Sequence, residues 1–211
     1  ADYDPDQIFW MYEHGDVVIA AKYDKEQGKW VDEKGGEVVF SFEYDGTPHV
    51  LTVECLQDFD DTADTLSVAR LAGNEETNAG TYTAVVDFEY NSDRFNNPHD
   101  IFPRLLSWTI TKKKIDYNDV KWGYINKEGQ EKEFDFDKED FRYARDEDGA
   151  VGWTVALIGL PKGVQDLMTY TTKNLSISGS SPMQGNTRAA VGEYMTSYVI
   201  SGTWNDPQGN H

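Results

Sequence analysis

The chain has 211 residues, with 38 Asp and Glu against 19 Lys and Arg, a formal charge of −19 and a single cysteine, Cys55. That balance excludes nucleic-acid and anionic-membrane partners that are recognised through basic patches, and one cysteine excludes an internal disulfide. No apolar run of 18 residues is present to form a membrane-spanning helix, and the length suits one large or two ordinary domains.

In chain order, Val38, Phe40, Phe42 and Tyr44 alternate within 36–44, which predicts a half-buried strand. Asp45-Gly46 predicts a turn and His49–Val53 the next strand. Cys55 closes a Val/Leu-rich run and reads as a small core residue rather than a nucleophile. Asp61–Leu71 places Leu66 near Ala69 and Arg70 at helical spacing and predicts one or two helical turns. Thr81–Phe88 is rich in β-branched and aromatic residues, and Leu106, Trp108 and Ile110 alternate in 105–111, so both read as strands. Lys127–Asp140 is charge-rich and reads as a solvated loop or hairpin edge. Phe141-Arg142-Tyr143, the Asp148-Gly149 turn, a strand at 153–157, a turn at 159–164 and a late strand at 194–200 follow. Short strands punctuated by Gly, Asn, Asp and Pro predict an all-β antiparallel sandwich or barrel.

The order of these signals recurs. Trp10-Met11-Tyr12 returns 112 positions later as Trp122-Gly123-Tyr124, and Ala79–Thr83 returns at the same offset as Val191–Met195. A period of this length predicts two tandem modules, 1–114 and 115–211, joined without a Gly/Ser linker and therefore semi-rigid. The first is the more acidic, with 23 acidic and 10 basic residues. It ends on the strand 105–111, whereas His211 aligns with His99, so the second module lacks an equivalent last strand. The chain opens on Ala1-Asp2, which reads as a cut at a repeat boundary. Truncation and strand exchange with another molecule both account for the missing strand. Trp10 and Trp122, being repeated, read as core anchors, and Tyr82 and Tyr194 as loop-corner tyrosines.

The motifs Tyr44-Asp45-Gly46-Thr47-Pro48-His49, Asn78-Ala79-Gly80-Thr81-Tyr82-Thr83, Trp108-Thr109-Ile110-Thr111-Lys112 and, in the second module, Gly159-Leu160-Pro161-Lys162-Gly163-Val164 carry a family resemblance. In that order they resemble the YDG/MBG-type, immunoglobulin-like tandem repeats of bacterial cell-surface and secreted proteins. The resemblance covers most of both modules but leaves Asp16–Lys34 unmatched. In the second module Tyr143 is separated from Asp148-Gly149, and the first has Cys55–Asp58 where the GLP turn stands. It implies two tandem immunoglobulin-like β-sandwich modules with antiparallel sheets, an extracellular location, and a structural or adhesive role as a spacer or adhesin stalk beside neighbouring repeats. It supplies no catalytic residues.

The residues add no catalytic motif: the chain contains no His-Glu-x-x-His, Gly-x-Ser-x-Gly or phosphate-cradling glycine loop, and the expectation is a non-enzymatic chain. The rival role is a carbohydrate- or protein-binding module for a host or matrix partner. It would use aromatics outside the repeat pattern, namely Tyr23, Trp30, Trp153 and Trp204, as stacking surfaces. The four carboxylates Asp58, Asp60, Asp61 and Asp64 are the candidate metal ligands, and calcium is the cation such hard oxygens would hold. Their alternative is a solvated acidic surface. No other cofactor is expected.

Overall fold

Residues with a two-residue apolar period fold here as strands, each with one face turned inward. The computed structural model describes residues 1–116, 120–126, 128–133, 145–146, 149–150, 153–175, 187–188 and 194–211. The chain divides into unit 1, Ala1–Lys113 with Gln208–His211, and unit 2, Lys114–Pro207.

Unit 1 contains β1 (Ile8–His14), β2 (Val17–Asp24), β3 (Lys29–Val31), β4 (Ser41–Glu43), β5 (His49–Cys55), β6 (Ser67–Ala72), β7 (Glu75–Glu76), β8 (Gly80–Glu89) and β9 (Leu105–Thr111). They form two sheets, ordered β3-β2-β1-β5-β7 and β4-β9-β8-β6. All pairings are antiparallel except β4 with β9, which run parallel. Ile8, Trp10 and Tyr12 of β1 and Leu51 of β5 are buried in one cluster with Ala84 and Val86 of β8 and Leu106, Trp108 and Ile110 of β9. A core drawn from the inner faces of both sheets makes unit 1 a sandwich.

Local chemistry sets the corners. Tyr82 donates its hydroxyl to the Asn78 carbonyl at 2.5 Å, pinning the loop into β8 as the sequence predicts. Gly73 has φ +65°, and a Cβ there would lie 2.1 Å from the Thr83 carbonyl oxygen, so the turn into β7 requires glycine. The Gly73 carbonyl accepts from Trp108 Nε1 at 2.9 Å, which ties that turn to β9. The last four residues also belong here, although the sequence assigns them to the second module. Ala79 N–H donates to Asn210 Oδ1 at 2.8 Å and Lys113 N–H to the Asn210 carbonyl at 2.9 Å. Asn210 is 1% exposed, and its side-chain oxygen and its carbonyl each accept one of these N–H groups.

Two expectations change. The strand predicted over 36–44 is reduced to Ser41–Glu43, although Phe40 is buried and Val39 exposed as the alternation requires. The ladder is lost because the segment changes partners: Val38 N–H donates to the Trp30 carbonyl, while the Phe40 carbonyl accepts from Thr109 N–H. The helix predicted within 61–71 is only a 3-10 turn at Thr62–Asp64 followed by β6. Pairing with β8, through a bulge between Val68 and Arg70, overrides the weak helical spacing.

Unit 2 contains β10 (Lys121–Ile125), β11 (Glu131–Glu133), β12 (Arg145–Asp146), β13 (Gly149–Ala150), β14 (Trp153–Ile158), β15 (Met168–Asn174), β16 (Thr187–Arg188) and β17 (Tyr194–Ile200), with a helical turn at Lys162–Gln165 where the sequence predicts a turn. Its sheets are β11-β10-β14-β16, β12-β13 and β15-β17. The predicted strand residues Phe141–Tyr143 lie outside the described residues.

Registers coincide between the units. Trp10 faces Val53 and Tyr12 faces Leu51, as Trp122 faces Leu157 and Tyr124 faces Val155. His49 faces Glu76 as Trp153 faces Arg188. Leu71 faces Val86 as Tyr170 faces Tyr198. The order β2-β1-β5-β7 thus returns as β11-β10-β14-β16, and β6-β8 as β15-β17. Among the described residues, β17 pairs with β15 alone, whereas β8 lies between β6 and β9.

Candidate functional site

The densest group of polar chemistry sits where β1 ends beside the Asp45–Thr47 turn. Asp45 Oδ1 accepts from the Thr47 hydroxyl at 2.7 Å and from Thr47 N–H at 2.9 Å, an Asx turn that Gly46, at φ +77°, completes. The same carboxylate receives two imidazoles: His14 Nε2 lies 2.6 Å from Oδ2 and His49 Nε2 lies 3.1 Å from Oδ1. Tyr12 Oη lies 2.7 Å from His49 Nδ1. His49 is 2% exposed. The two ring nitrogens of His49 are thus divided between partners, Nε2 facing the Asp45 carboxylate and Nδ1 the Tyr12 hydroxyl.

Burial pushes the Asp45 carboxyl upward, but the Thr47 hydroxyl and N–H, His14 and the charge of His49 outweigh it and hold the group well below the usual carboxylate range. Burial, reinforced by the Asp45 charge, pushes the Tyr12 phenol up to about 12.

Among the described residues, His14, Asp45 and His49 are the one group of three His, Cys or acidic side chains whose ligand atoms all lie within 4.8 Å. Their rings limit what they can do. The two imidazoles stack, with centroids 4.4 Å apart and planes 20° apart. An ion bound in the plane of both rings requires one of them to turn. Nor does the group form a nucleophile relay. Thr47 Oγ1 and Asp45 both meet His14 at the same nitrogen, Nε2, whereas a relay uses opposite ring nitrogens. Its evident work is to clamp the turn to β1. The sequence singled out His49 within the turn motif but did not connect it to His14, 35 positions away.

The predicted residues are placed as follows. Trp30 is half-buried, edge-on to Phe102 at 4.9 Å and tilted against Tyr23 at 5.1 Å. Structure thus joins two of the four predicted aromatics and commits one side of Trp30 to the core cluster. Trp153 lies on β14. Trp204 is half-buried in unit 2 and packs over Gly163, where a Cβ would lie 2.1 Å from its Nε1. The second glycine of the GLPKGV motif therefore makes room for an indole.

The carboxylates are similarly engaged. Asp61 Oδ1 caps the 3-10 turn by accepting from Ala63 N–H at 3.0 Å. Arg94 reaches Asp61 at 3.4 Å and the buried Asp64 at 2.9 Å, and Asn91 donates to Asp64 at 3.2 Å. Asp58 and Asp60 are exposed. Asp61 and Asp64 thus converge on a guanidinium. Cys55 is half-buried, and burial pushes its thiol up to about 11, which suits the core role expected of it.

Unit 2 carries the other distinctive feature. A cavity of about 140 Å³ lies within it, lined by Ile115, Asp116, Val120, Leu157, Leu160, Val164, Tyr198 and Ile200. Trp122 is 37% exposed, whereas Trp10, its counterpart in unit 1, is fully buried. The expectation that both tryptophans are core anchors thus holds for Trp10 and not for Trp122. Phe102 covers Trp10, with centroids 6.2 Å apart, while among the described residues the ring contacts of Trp122 are with Tyr170 and Tyr198. Among the described residues, no helix is long and apolar enough to cross a membrane. Compared with protein families, curated proteins and solved structures, the chain matches none.

Proposed function

We propose that this chain is a non-enzymatic segment of a bacterial cell-surface or secreted protein, two immunoglobulin-like modules in tandem that act as a spacer or adhesin stalk. The observation that carries the reading is the recurrence of strand order and residue register in units 1 and 2. Repeated β units with separate cores suit the transmission of load and the display of a distal region. The polar cluster of unit 1 supports the same reading, because its hydrogen bonds close on one another and hold a turn in place.

Antibody to unit 1 tests the location. Labelling of intact cells, or recovery of the chain from the medium, is expected. Labelling only after lysis would remove the extracellular reading. Stretching the chain between its termini tests the mechanical role. Two unfolding events are expected, with contour gains near 117 and 94 residues of chain at roughly 3.6 Å per residue. One featureless extension would argue against independent load-bearing modules.

A further inference from the structure

We propose that His14, Asp45 and His49 form a binding site for a divalent transition-metal ion of the zinc class. Nε2 of each imidazole and the Asp45 carboxylate are its protein ligands, and solvent completes the coordination. The inference stands on the chemistry of this cluster and does not depend on the proposed role as a stalk.

The fold brings the donors together from two elements. Tyr12 of β1 faces Leu51 of β5, and the same antiparallel register carried two residues further sets His14 against His49. Both imidazoles therefore leave neighbouring chain segments on one face of the sheet. The Asp45–Thr47 turn lays a carboxylate across their Nε2 atoms, and the ligand atoms of the three residues all lie within 4.8 Å of one another. Around a tetrahedral ion with bonds of about 2.0–2.1 Å, neighbouring donors stand roughly 3.3 Å apart. The 3.1 Å between His49 Nε2 and Asp45 Oδ1 is already close to that spacing.

The surroundings of the donors fit the same chemistry. A ligating imidazole usually donates its other ring N–H to an outer partner, and a ligating carboxylate is usually hydrogen-bonded in turn. His49 Nδ1 has Tyr12 Oη at 2.7 Å, an oxygen able to accept when Nε2 holds the ion. Asp45 is steadied by the Thr47 N–H and hydroxyl. Phe42 lies nearly parallel to the His49 ring, with centroids 5.7 Å and planes 8° apart, and His49 is buried, so this ring is fixed. His14 is the ring that turns to bring its nitrogen into line with the ion. Its side chain is 28% exposed, and its bonds to Asp45 and Thr47 both run through Nε2. The ion then takes the place of the 2.6 Å contact between that nitrogen and Asp45 Oδ2. Asp45, 40% exposed, leaves the approach from solvent open. Two imidazoles select zinc, copper or nickel over calcium and magnesium, which take oxygen ligands. The net charge of −19 draws cations to the surface.

The test titrates zinc chloride into the intact 211-residue chain after treatment with chelator, by calorimetry and by NMR of the histidine ring nitrogens. One equivalent is expected to bind with Kd below about 0.1 mM, shifting the Nε2 resonances of His14 and His49. Melting temperature is expected to rise with zinc and return with chelator. His14→Ala, at a part-exposed position, is expected to weaken binding at least about tenfold, and Tyr12→Phe about tenfold through loss of the outer partner. His99→Ala and His211→Ala are expected to leave it unchanged. The ring-nitrogen shifts are read on the unaltered chain, so they decide the matter even where a variant fails to fold. Four outcomes would overturn the proposal. They are no saturable binding with Kd below about 0.1 mM; binding by His14→Ala within about tenfold of the original; shifts at His99 or His211 in place of His14 and His49; and displacement of zinc by an equal concentration of calcium, which would put the ion on carboxylates alone.

Discussion

Unit 1 and unit 2 use one strand order and register and differ in how completely they are closed. Trp10 and Trp122 occupy the same position against Val53 and Leu157, yet the first is fully buried and the second is 37% exposed. The tryptophan itself does not decide this difference. Phe102 and β9 stand over Trp10, and the described part of unit 2 has no equivalent. In unit 1 the sandwich core is completed by the strand that comes last in its sequence.

The largest effect that would sharpen this comparison comes from paired truncations. Trp10→Ala is expected to cost about 3–5 kcal/mol of unit 1 stability and Trp122→Ala less than about 2 kcal/mol of unit 2 stability, because the deleted surface is fully buried in only one of them. Urea denaturation monitored by amide resonances of each unit separates the two, and equal losses would break the comparison. Next is Gly73→Ala, expected to destabilise unit 1 by about 2 kcal/mol or more, since a positive φ and a clash with the Thr83 carbonyl act together. Thermal unfolding measures it. Gly163→Ala is the corresponding probe in unit 2. It should displace the Trp204 indole, seen as a red shift in tryptophan emission with a smaller loss of stability. Tyr82→Phe is expected to cost about 1 kcal/mol through loss of the bond to the Asn78 carbonyl.

The smallest effects are pH-dependent and belong to unit 1 alone. Asp45 is held below the usual carboxylate range in the fold, so its contribution is full above an unfolded value near 3.9 and is lost as pH falls from there. Asp45→Asn should remove that acid-limb loss, and a parallel acid limb in the variant would count against the clamp. Tyr12, pushed up to about 12, binds its proton more tightly folded than unfolded. Its contribution is therefore intact below about pH 10 and declines between about 10 and 12. Tyr12→Phe should flatten that part of the alkaline limb in melting temperature against pH.

The sequence by itself determined the all-β character, because two-residue alternation at Phe40, Phe42, Leu106, Trp108 and Ile110 suits a sheet with one buried face. It also determined the repeated order, the corner at Tyr82 and the turn at Asp45-Gly46, all of which rest on contacts a few residues apart or on a recurring offset. The tertiary structure decided the rest. Asp61–Leu71 became a turn and a strand, because pairing with β8 is a long-range contact that local spacing does not report. His14 met His49 and Asp45 only when β1 was laid beside β5. Asn210 entered unit 1, although its repeat position assigned it to the other module, because it accepts hydrogen bonds from Ala79 and Lys113. Asp61 and Asp64 found Arg94, some thirty positions away, and so became half of an ion pair. In each case the deciding energy is a contact between residues far apart in sequence, which neither residue's neighbours can encode.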